Sequence, residues 1–304
     1  MSKSNYDAIV IGSGIAGLAA TKRLLEGSNF SVASFESELF GGLVINIQEL
    51  DGKIAGSGVD LASGLMMEVT EAGALMLSEQ VTAIAEDEGG WTVTTTEGLH
   101  HARSVVVASG ASLKRLGVPG EEKFEYKGVS RCADCDGPVY RGKEVVVAGG
   151  GDSALQEARI LAGFCRQVYL LNRGSQFTAQ PHLIEAIGGC GNVTVRHLTE
   201  VEALLGNEVL ETVQVRNLAD SSVSEVACSG FFGFVGLKPT TEFIPASVAR
   251  DPNGFLVTDS SFTAGNGLFA VGAVRSGYGG MLEHAVAEGL AAADGAIKVL
   301  NEIR

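Results

Sequence analysis

The chain has 304 residues, enough for about two domains of ordinary size, and 45% of them are apolar, enough for two cores. A net charge of −14, from 22 basic against 36 acidic residues with no Lys/Arg-rich run, excludes non-specific binding to nucleic acid or to an anionic membrane. No apolar run approaches the ~20 residues that span a bilayer, no signal-peptide pattern is present, and 41 glycines against 6 prolines fit many tight strand-to-helix turns.

Residues 7–11 are predicted as a buried parallel strand, Gly12 to Gly17 as a G-x-G-x-x-G turn, Leu18 to Glu26 as a helix and Phe30 to Phe35 as a second strand. The glycines permit a tight turn, the approach of a pyrophosphate and close helix–strand packing. The following helix offers free N–H groups to the phosphates. Glu36 closes the second strand roughly 20 residues past the turn, where an acid accepts from a ribose hydroxyl. Strand, glycines, helix, strand and acid in register predict a site for an adenine dinucleotide. The pair Gly41-Gly42 lets the backbone pass close to a flat ligand, with a surface turn as the plainer reading.

An amphipathic helix is expected over 60–75, and a hairpin of strands 79–86 and 91–96 turning at 88–90. Ser104 to Ala108 is an apolar strand with a small-residue exit at Ser109-Gly110-Ala111-Ser112. Residues 117–127, rich in Gly, Glu and Lys, read as a linker. Next comes Cys132-Ala133-Asp134-Cys135-Asp136-Gly137. Two thiols three positions apart can close a small disulfide, and one thiol of a C-x-x-C unit tends to have a lowered pKa. A structural staple or half of a metal site are the alternatives. Zinc usually needs a second ligand pair, and Cys165, Cys190 and Cys228 stand apart. We therefore expect a redox-active dithiol and no metal. Five cysteines, an odd number, suggest a reducing cytoplasm.

A second unit follows: strand 144–148, the turn Gly149-Gly150-Gly151-Asp152-Ser153-Ala154, a helix to about Gly163, and strand 168–171. It predicts a second dinucleotide site, against the reading of a packing turn without a ligand. Short strands are expected from Val193 to Phe234, a second crossing over 234–239, a strand 268–271 ending in Gly272-Ala273-Val274, and a long helix from Met281 to Leu300. A lone strand and helix cannot bury a core, so this C-terminal piece should rejoin the first domain. The fold class is α/β, with two Rossmann-like nucleotide-binding domains of the three-layer ββα type. The second is inserted in the first, with boundaries at 1–116 with 245–304 and at 117–244.

These motifs resemble the low-molecular-weight thioredoxin reductases over nearly the whole length. The resemblance rests on Gly12-x-Gly14-x-x-Gly17, Gly41-Gly42, Ser109-Gly110-Ala111, Leu116-Gly-x-Pro-Gly120, Cys132-Ala-x-Cys135-Asp136-Gly137, and Gly149-Gly-Gly-Asp-Ser-Ala154 with Glu157-Ala158. It implies FAD in the first site, at Gly12, Ser13, Gly14, Ala16, Gly17, Glu36, Gly41, Gly42, Leu43, Asn46 and Val81, and at Ala108, Ser109, Gly110, Gly272 and Ala273. It implies NADPH or NADH in the second, at Gly149, Gly150, Gly151, Asp152, Ser153 and Arg173. It also implies a homodimer, a large rotation between domains in turnover, and a thioredoxin-like protein or a small dithiol or disulfide as partner. Cys135 would face the flavin, Cys132 would attack the outside disulfide, and Asp136 would move the proton, with a cap or turn acid as the plainer reading of Asp136.

Three departures stand out. Ala273 replaces the family's Asp at the flavin ribityl chain, and Gly280-Met281 replaces an Arg-Gln pair. The run that grips the 2′-phosphate of NADPH reads Asn172-Arg173-Gly174, with Thr178 downstream, so one cation remains of three. Two lost guanidinium partners, at ~1.5–3 kcal/mol each, should erode the preference for NADPH. The leading expectation is an FAD-dependent disulfide oxidoreductase. The alternatives are a dithiol oxidase using oxygen, with His284 beside Glu283 as a candidate base against the plainer reading of a solvent-exposed histidine, a ferredoxin-linked reductase, and a non-catalytic flavin redox sensor.

Overall fold

The computed structural model describes residues 3–26, 29–47, 50 and 56–302. In chain order the first elements are β1 (Lys3–Ile11), α1 (Ile15–Leu25), β2 (Val32–Phe35), α2 (Gly58–Glu71), β3 (Leu75–Leu77), β4 (Val81–Asp87), β5 (Gly90–Thr95), β6 (Leu99–Val107) and β7 (Ala111–Leu113). There follow β8 (Val129–Ser130), α3 (Ala133–Asp136), β9 (Glu144–Ala148), α4 (Asp152–Ala162), β10 (Gln167–Leu171), α5 (Pro181–Gly188), β11 (Val193–Arg196), β12 (Thr199–Leu205), β13 (Thr212–Asn217), β14 (Val223–Ala227) and β15 (Gly230–Gly233). The chain ends with β16 (Leu237–Pro239), β17 (Thr263–Gly265), β18 (Leu268–Ala270) and α6 (Leu282–Glu302).

Two compact units result, Met1–Ser112 with Lys238–Arg304, and Leu113–Leu237. The second is thus inserted in the first, and the chain crosses in β7 and β16, which pair as a two-stranded ribbon. The crossings fall short of the expected 116/117 and 244/245. Leu116, Val118 and Phe124 pack into the core of the second unit, and Phe243 and Ile244 into the core of the first. The expected linker over 117–127 is therefore ordered. Phe124 is 1% exposed, and buried Glu121 accepts from the Leu116 and Gly117 N–H groups.

In the first unit the sheet runs β17-β18-β6-β1-β2-β3, with β5 also on β6 and β4 on β5. The two-residue period of a strand sorts its side chains to opposite faces. Ala8, Val10 and Val106 pack under α1 and α6, while Ile9, Ile11, Val105 and Val107 pack with Ile84, Trp91 and Val93 of the β4–β5 hairpin. Burial on both faces explains why β1 reads as a continuous apolar run. Helix α6 comes close to α1 because Gly289 lies against Ala16 and Ala19, where a Cβ would sit 2.3 Å from the Ala16 carbonyl oxygen. Helix α2 starts earlier than expected, at a capping box in which Ser57 and Asp60 exchange hydrogen bonds. It ends sooner too, near Gly73 (φ +91°), and frees Leu75–Leu77 to pair with β2.

The second unit repeats this plan. Its parallel sheet runs β11-β10-β9-β15-β8, and β12-β13-β14 form an antiparallel layer. Val145, Val147, Val168 and Leu170 face α4 and α5, while Val146, Ala148, Leu171 and Phe231 face Val201, Val213, Val215 and Val226 of that layer. Both units are therefore three-layered, in the order β, β, α.

Candidate active site

In the first unit the strand ends converge. Ile11 is in register with Phe35 and with Val107, and Val107 with Ala270, so Gly12, Glu36, Ala108 and the 271–272 segment leave one edge together. Ligands of open α/β sheets bind outside that carboxyl edge. Packing explains two of the three motif glycines. A Cβ on Gly12 would lie 2.4 Å from the Ala108 carbonyl oxygen, and one on Gly17 1.9 Å from that of Gly12. It does not explain Gly14, where a Cβ would meet only the Gly41 oxygen at 3.9 Å. Gly14 is the N-cap of α1 and supplies no side-chain cap, so the first N–H groups of α1 face this open space. That combination fits the pyrophosphate of FAD.

Around this cradle, Glu36 accepts from the Ser13 N–H at 2.8 Å through one oxygen, and from the Ser37 and Glu38 N–H groups through the other. Gly41 donates to the Ser13 carbonyl at 2.7 Å and opens a single 3-10 turn that carries Leu43 and Asn46, both exposed. Ser109 donates to the Thr240 carbonyl at 2.7 Å, and Gly110 adopts φ +66° beside it. Val81 starts β4 four residues past Leu77, whose carbonyl accepts from the Glu36 N–H. Ala273 is half-buried, and next to it Gly272 donates to Glu288 Oε2 at 2.8 Å. Glu288 is 5% exposed and is bound in two-pronged fashion by Arg275. Sequence reasoning missed this pair. Its one signal was an acid inside the small-residue stretch of α6, between Ala285 and Gly289. His284 is exposed, and its ring lies on the Gly279 backbone at the rim of a cavity of about 500 Å³.

In the second unit, Gly149 donates to the Leu171 carbonyl, and a Cβ there would lie 2.3 Å from the Phe234 oxygen. Above Gly150 stands buried Asn172, whose Oδ1 would be 2.4 Å from a Cβ. Gly151 has only Thr178 Oγ1 near it, at 3.8 Å, and leaves the first turn of α4 without a side-chain cap. Asp152 in that turn is held by Gln180, and Ser153 is exposed. The turn thus fits a nucleotide pyrophosphate as the first does. The Asn172 amide is committed: Oδ1 accepts from the Gly174 N–H, and Nδ2 reaches the Gln176 carbonyl and His197 Nδ1. Thr178 binds back to the Gly150 carbonyl. Arg173 is exposed at the end of β10. Parallel pairing of β10 with β11 adds Arg196 and His197 to that end, which the sequence pattern did not show.

The redox motif lies in the same unit. Cys132 and Cys135 form a disulfide with Cα atoms 5.3 Å apart, and Cys165, Cys190 and Cys228 are free thiols. Among the described residues no group of three or more His, Cys, Asp or Glu side chains is placed to hold a metal. Cys132 is the N-cap of α3; its sulfur accepts from the Cys135 N–H at 3.1 Å, so a thiolate formed there keeps a hydrogen bond. Cys135 is exposed and Cys132 half-buried. Asp136 accepts at 2.6 Å from buried Ser130, whose oxygen also accepts from the Cys132 N–H. Ser130 therefore ties the acid to the Cys132 backbone. On the other side Glu157, from α4, accepts from the Ala133 N–H at 2.6 Å. Burial pushes the Glu157 carboxyl up to about 7, with a contribution from Asp134. Neither Ser130 nor Glu157 stood out as a site residue, because only the fold brings β8 and α4 to α3.

Comparison with known proteins agrees with this geometry. The profile of the pyridine nucleotide-disulphide oxidoreductases matches residues 6–289. The thioredoxin reductase of Treponema pallidum is 32% identical over 307 residues, covering 99% of each chain. That of Mycolicibacterium smegmatis is 31% identical over 277 residues, covering 89% of each. Among solved structures, thioredoxin reductase of Lactococcus lactis superposes with a TM-score of 0.93 at 30% identity, covering 98% of this chain and 99% of that one. The T. acidophilum enzyme does so at 0.91 and 27%, covering 99% of each.

Proposed function

The chain belongs to the pyridine nucleotide-disulphide oxidoreductase family and is an FAD-dependent disulfide oxidoreductase of the thioredoxin reductase type; we propose that it passes electrons from NADPH or NADH to a thioredoxin-like protein disulfide. The observation that carries this reading is the Cys132–Cys135 disulfide with a hydrogen-bonded acid beside it. FAD would be held at Gly12, Ser13, Gly14, Ala16, Gly17, Glu36, Gly41, Gly42, Leu43, Asn46, Val81, Ala108, Ser109, Gly110, Gly272 and Ala273, and would supply the relay between a two-electron nicotinamide donor and a disulfide. The nucleotide would lie on Gly149–Ser153 and Arg173.

The protein's own part is thiol chemistry. The Cys132–Cys135 bond takes two electrons and one proton, leaving a thiolate and a thiol. Cys132 is the better nucleophile toward the outside disulfide, since its thiolate keeps the Cys135 N–H bond. Attack forms a mixed disulfide with the partner. Cys135 then gives up its proton, attacks Cys132 Sγ and re-forms the internal bond. Asp136 hands that proton to the departing partner thiolate, and Ser130 holds the acid in place.

The donor site supports weak discrimination, because Asn172 and Thr178 are bonded to the protein's own backbone and leave Arg173 as the matched cation. The free thiols Cys165, Cys190 and Cys228 suit a reducing, cytoplasmic setting. No helix among the described residues is long and apolar enough to cross a membrane. A homodimer is the assembly the resemblance implies, and sedimentation at varied concentration tests it. The function itself is tested by anaerobic titration with NADPH, NADH and dithiothreitol, followed by flavin absorbance. Bleaching by a nicotinamide nucleotide is expected; bleaching by dithiothreitol alone would favour a dithiol oxidase.

A further inference from the structure

Resting on Cys132–Cys135 as the redox centre, we propose that Glu157 is a positioning residue for it: its carboxyl, bonded to the amide beside Cys132, takes up a proton when the disulfide is reduced and returns it when the disulfide re-forms.

The geometry places one group where two charges compete. Glu157 Oε2 sits 2.6 Å from the Ala133 nitrogen, and Ala133 is the residue next to Cys132. Cys132 Sγ takes the Cys135 N–H of the same turn. Carboxylate and thiolate therefore draw on one four-residue helix. Ala133 between them is fully buried, while Cys132 and Glu157 are each half-buried, so the two charges are only partly screened by water. Asp134, also on α3, pushes in the same direction, and burial has already brought the Glu157 carboxyl up to about 7. The other titratable groups on elements packed against α4 are Asp136 on α3, His182 and Glu185 on α5, Glu144 on β9 and Tyr169 on β10. On α4 itself Asp152 is bonded to Gln180 and Arg159 is exposed. Adding a negative sulfur raises a neighbouring acid's pKa further. The balance is two electrons from the reduced flavin and two protons from solvent. The S–S bond breaks, Cys132 becomes a thiolate, Cys135 takes one proton and the Glu157 carboxylate takes the other.

Two features separate this from a purely structural hydrogen bond. A glutamine can accept from the Ala133 N–H, but it cannot take a proton. Also, the number of protons taken up should rise with pH near 7, whereas ionisation of a cysteine thiol lowers it. The test is the equilibrium of the flavin-loaded protein with a dithiothreitol redox buffer, read by thiol trapping from about pH 6 to about pH 9. Above about pH 7 the wild-type equilibrium for reduction should fall roughly tenfold more per pH unit than below it, relative to the buffer's own slope. Glu157→Gln should lack that extra proton, and Glu157→Asp should restore it. Parallel curves for wild type and Glu157→Gln would overturn the inference. So would a wild-type curve without the steepening, which decides the matter even where a variant fails to fold. Failure of the pair to exchange with the buffer or with the flavin at any pH would instead overturn its assignment as the redox centre.

Discussion

Arg275→Met probes the buried ion pair beside the Gly272 turn of the first unit. Arg275 Nε donates to Glu288 Oε2 at 2.9 Å, Nη2 donates to Oε1, and Nη1 donates to the Ser276 carbonyl at 2.8 Å. The two side chains are 15% and 7% exposed. Removing the guanidinium leaves the Glu288 carboxylate buried, with the Gly272 N–H still donating to it. Breaking one partner of such a pair costs about 3–5 kcal/mol. In a unit of this size that corresponds to a fall in Tm of roughly 6–20 °C. Methionine replaces much of the volume against Phe262, so the loss is mainly electrostatic. Adding Glu288→Gln to Arg275→Met removes the orphaned charge and should recover most of the loss. Thermal unfolding followed by flavin fluorescence reads both. A single variant melting within about 2 °C of wild type, or a double variant no better than the single, would refute the reasoning.

Three further outcomes are expected. Cys132→Ser should show long-wavelength flavin absorbance from a Cys135 thiolate, and Cys135→Ser should not; the reverse pattern exchanges their roles. NADPH should reduce the flavin no more than about tenfold faster than NADH, since two charge-assisted contacts worth ~1.5–3 kcal/mol each are missing; a much larger ratio would mean that Arg196 and His197 rebuild the clamp. The Glu157 carboxyl, raised from 4.5 to about 7, stabilises the fold in its neutral form. Its contribution is full below about pH 4.5 and is lost as pH rises through about 7, a change of about 3 kcal/mol that Glu157→Gln should abolish in denaturant titrations.

Much of this molecule was legible in its sequence because the signals are local. The G-x-G-x-x-G turn, the triple glycine and the C-x-x-C pair each fix a short backbone path, and the parallel strands show as apolar runs. What escaped depends on distant packing. The Gly- and Lys-rich segment 117–127 looked like a linker because Phe124 gives little sign of its burial. Helix α5 has a proline at its first position as its start signal, and lies in a stretch otherwise rich in short strands. Ser130 and the Arg275–Glu288 pair have no motif of their own, and Glu157, though it belongs to the second glycine motif, carries no sign there of its bond to the cysteine turn. Each matters only because β8, α4 and α6 bring it beside a backbone N–H that the fold leaves to be satisfied.

Counting thiols in the folded protein before and after reduction by NADPH tests the electron path most directly. Cys165 and Cys228 are buried, their thiols pushed up to about 11 and about 12 by desolvation, so neither should react with maleimide at neutral pH. The oxidised protein should therefore show Cys190 at most, and the NADPH-reduced protein should gain Cys132 and Cys135 together, with no gain in a Cys132→Ser, Cys135→Ser double variant. Flavin that bleaches fully while the thiol count stays unchanged would contradict the account, because the electrons would then be leaving by a route that bypasses the disulfide.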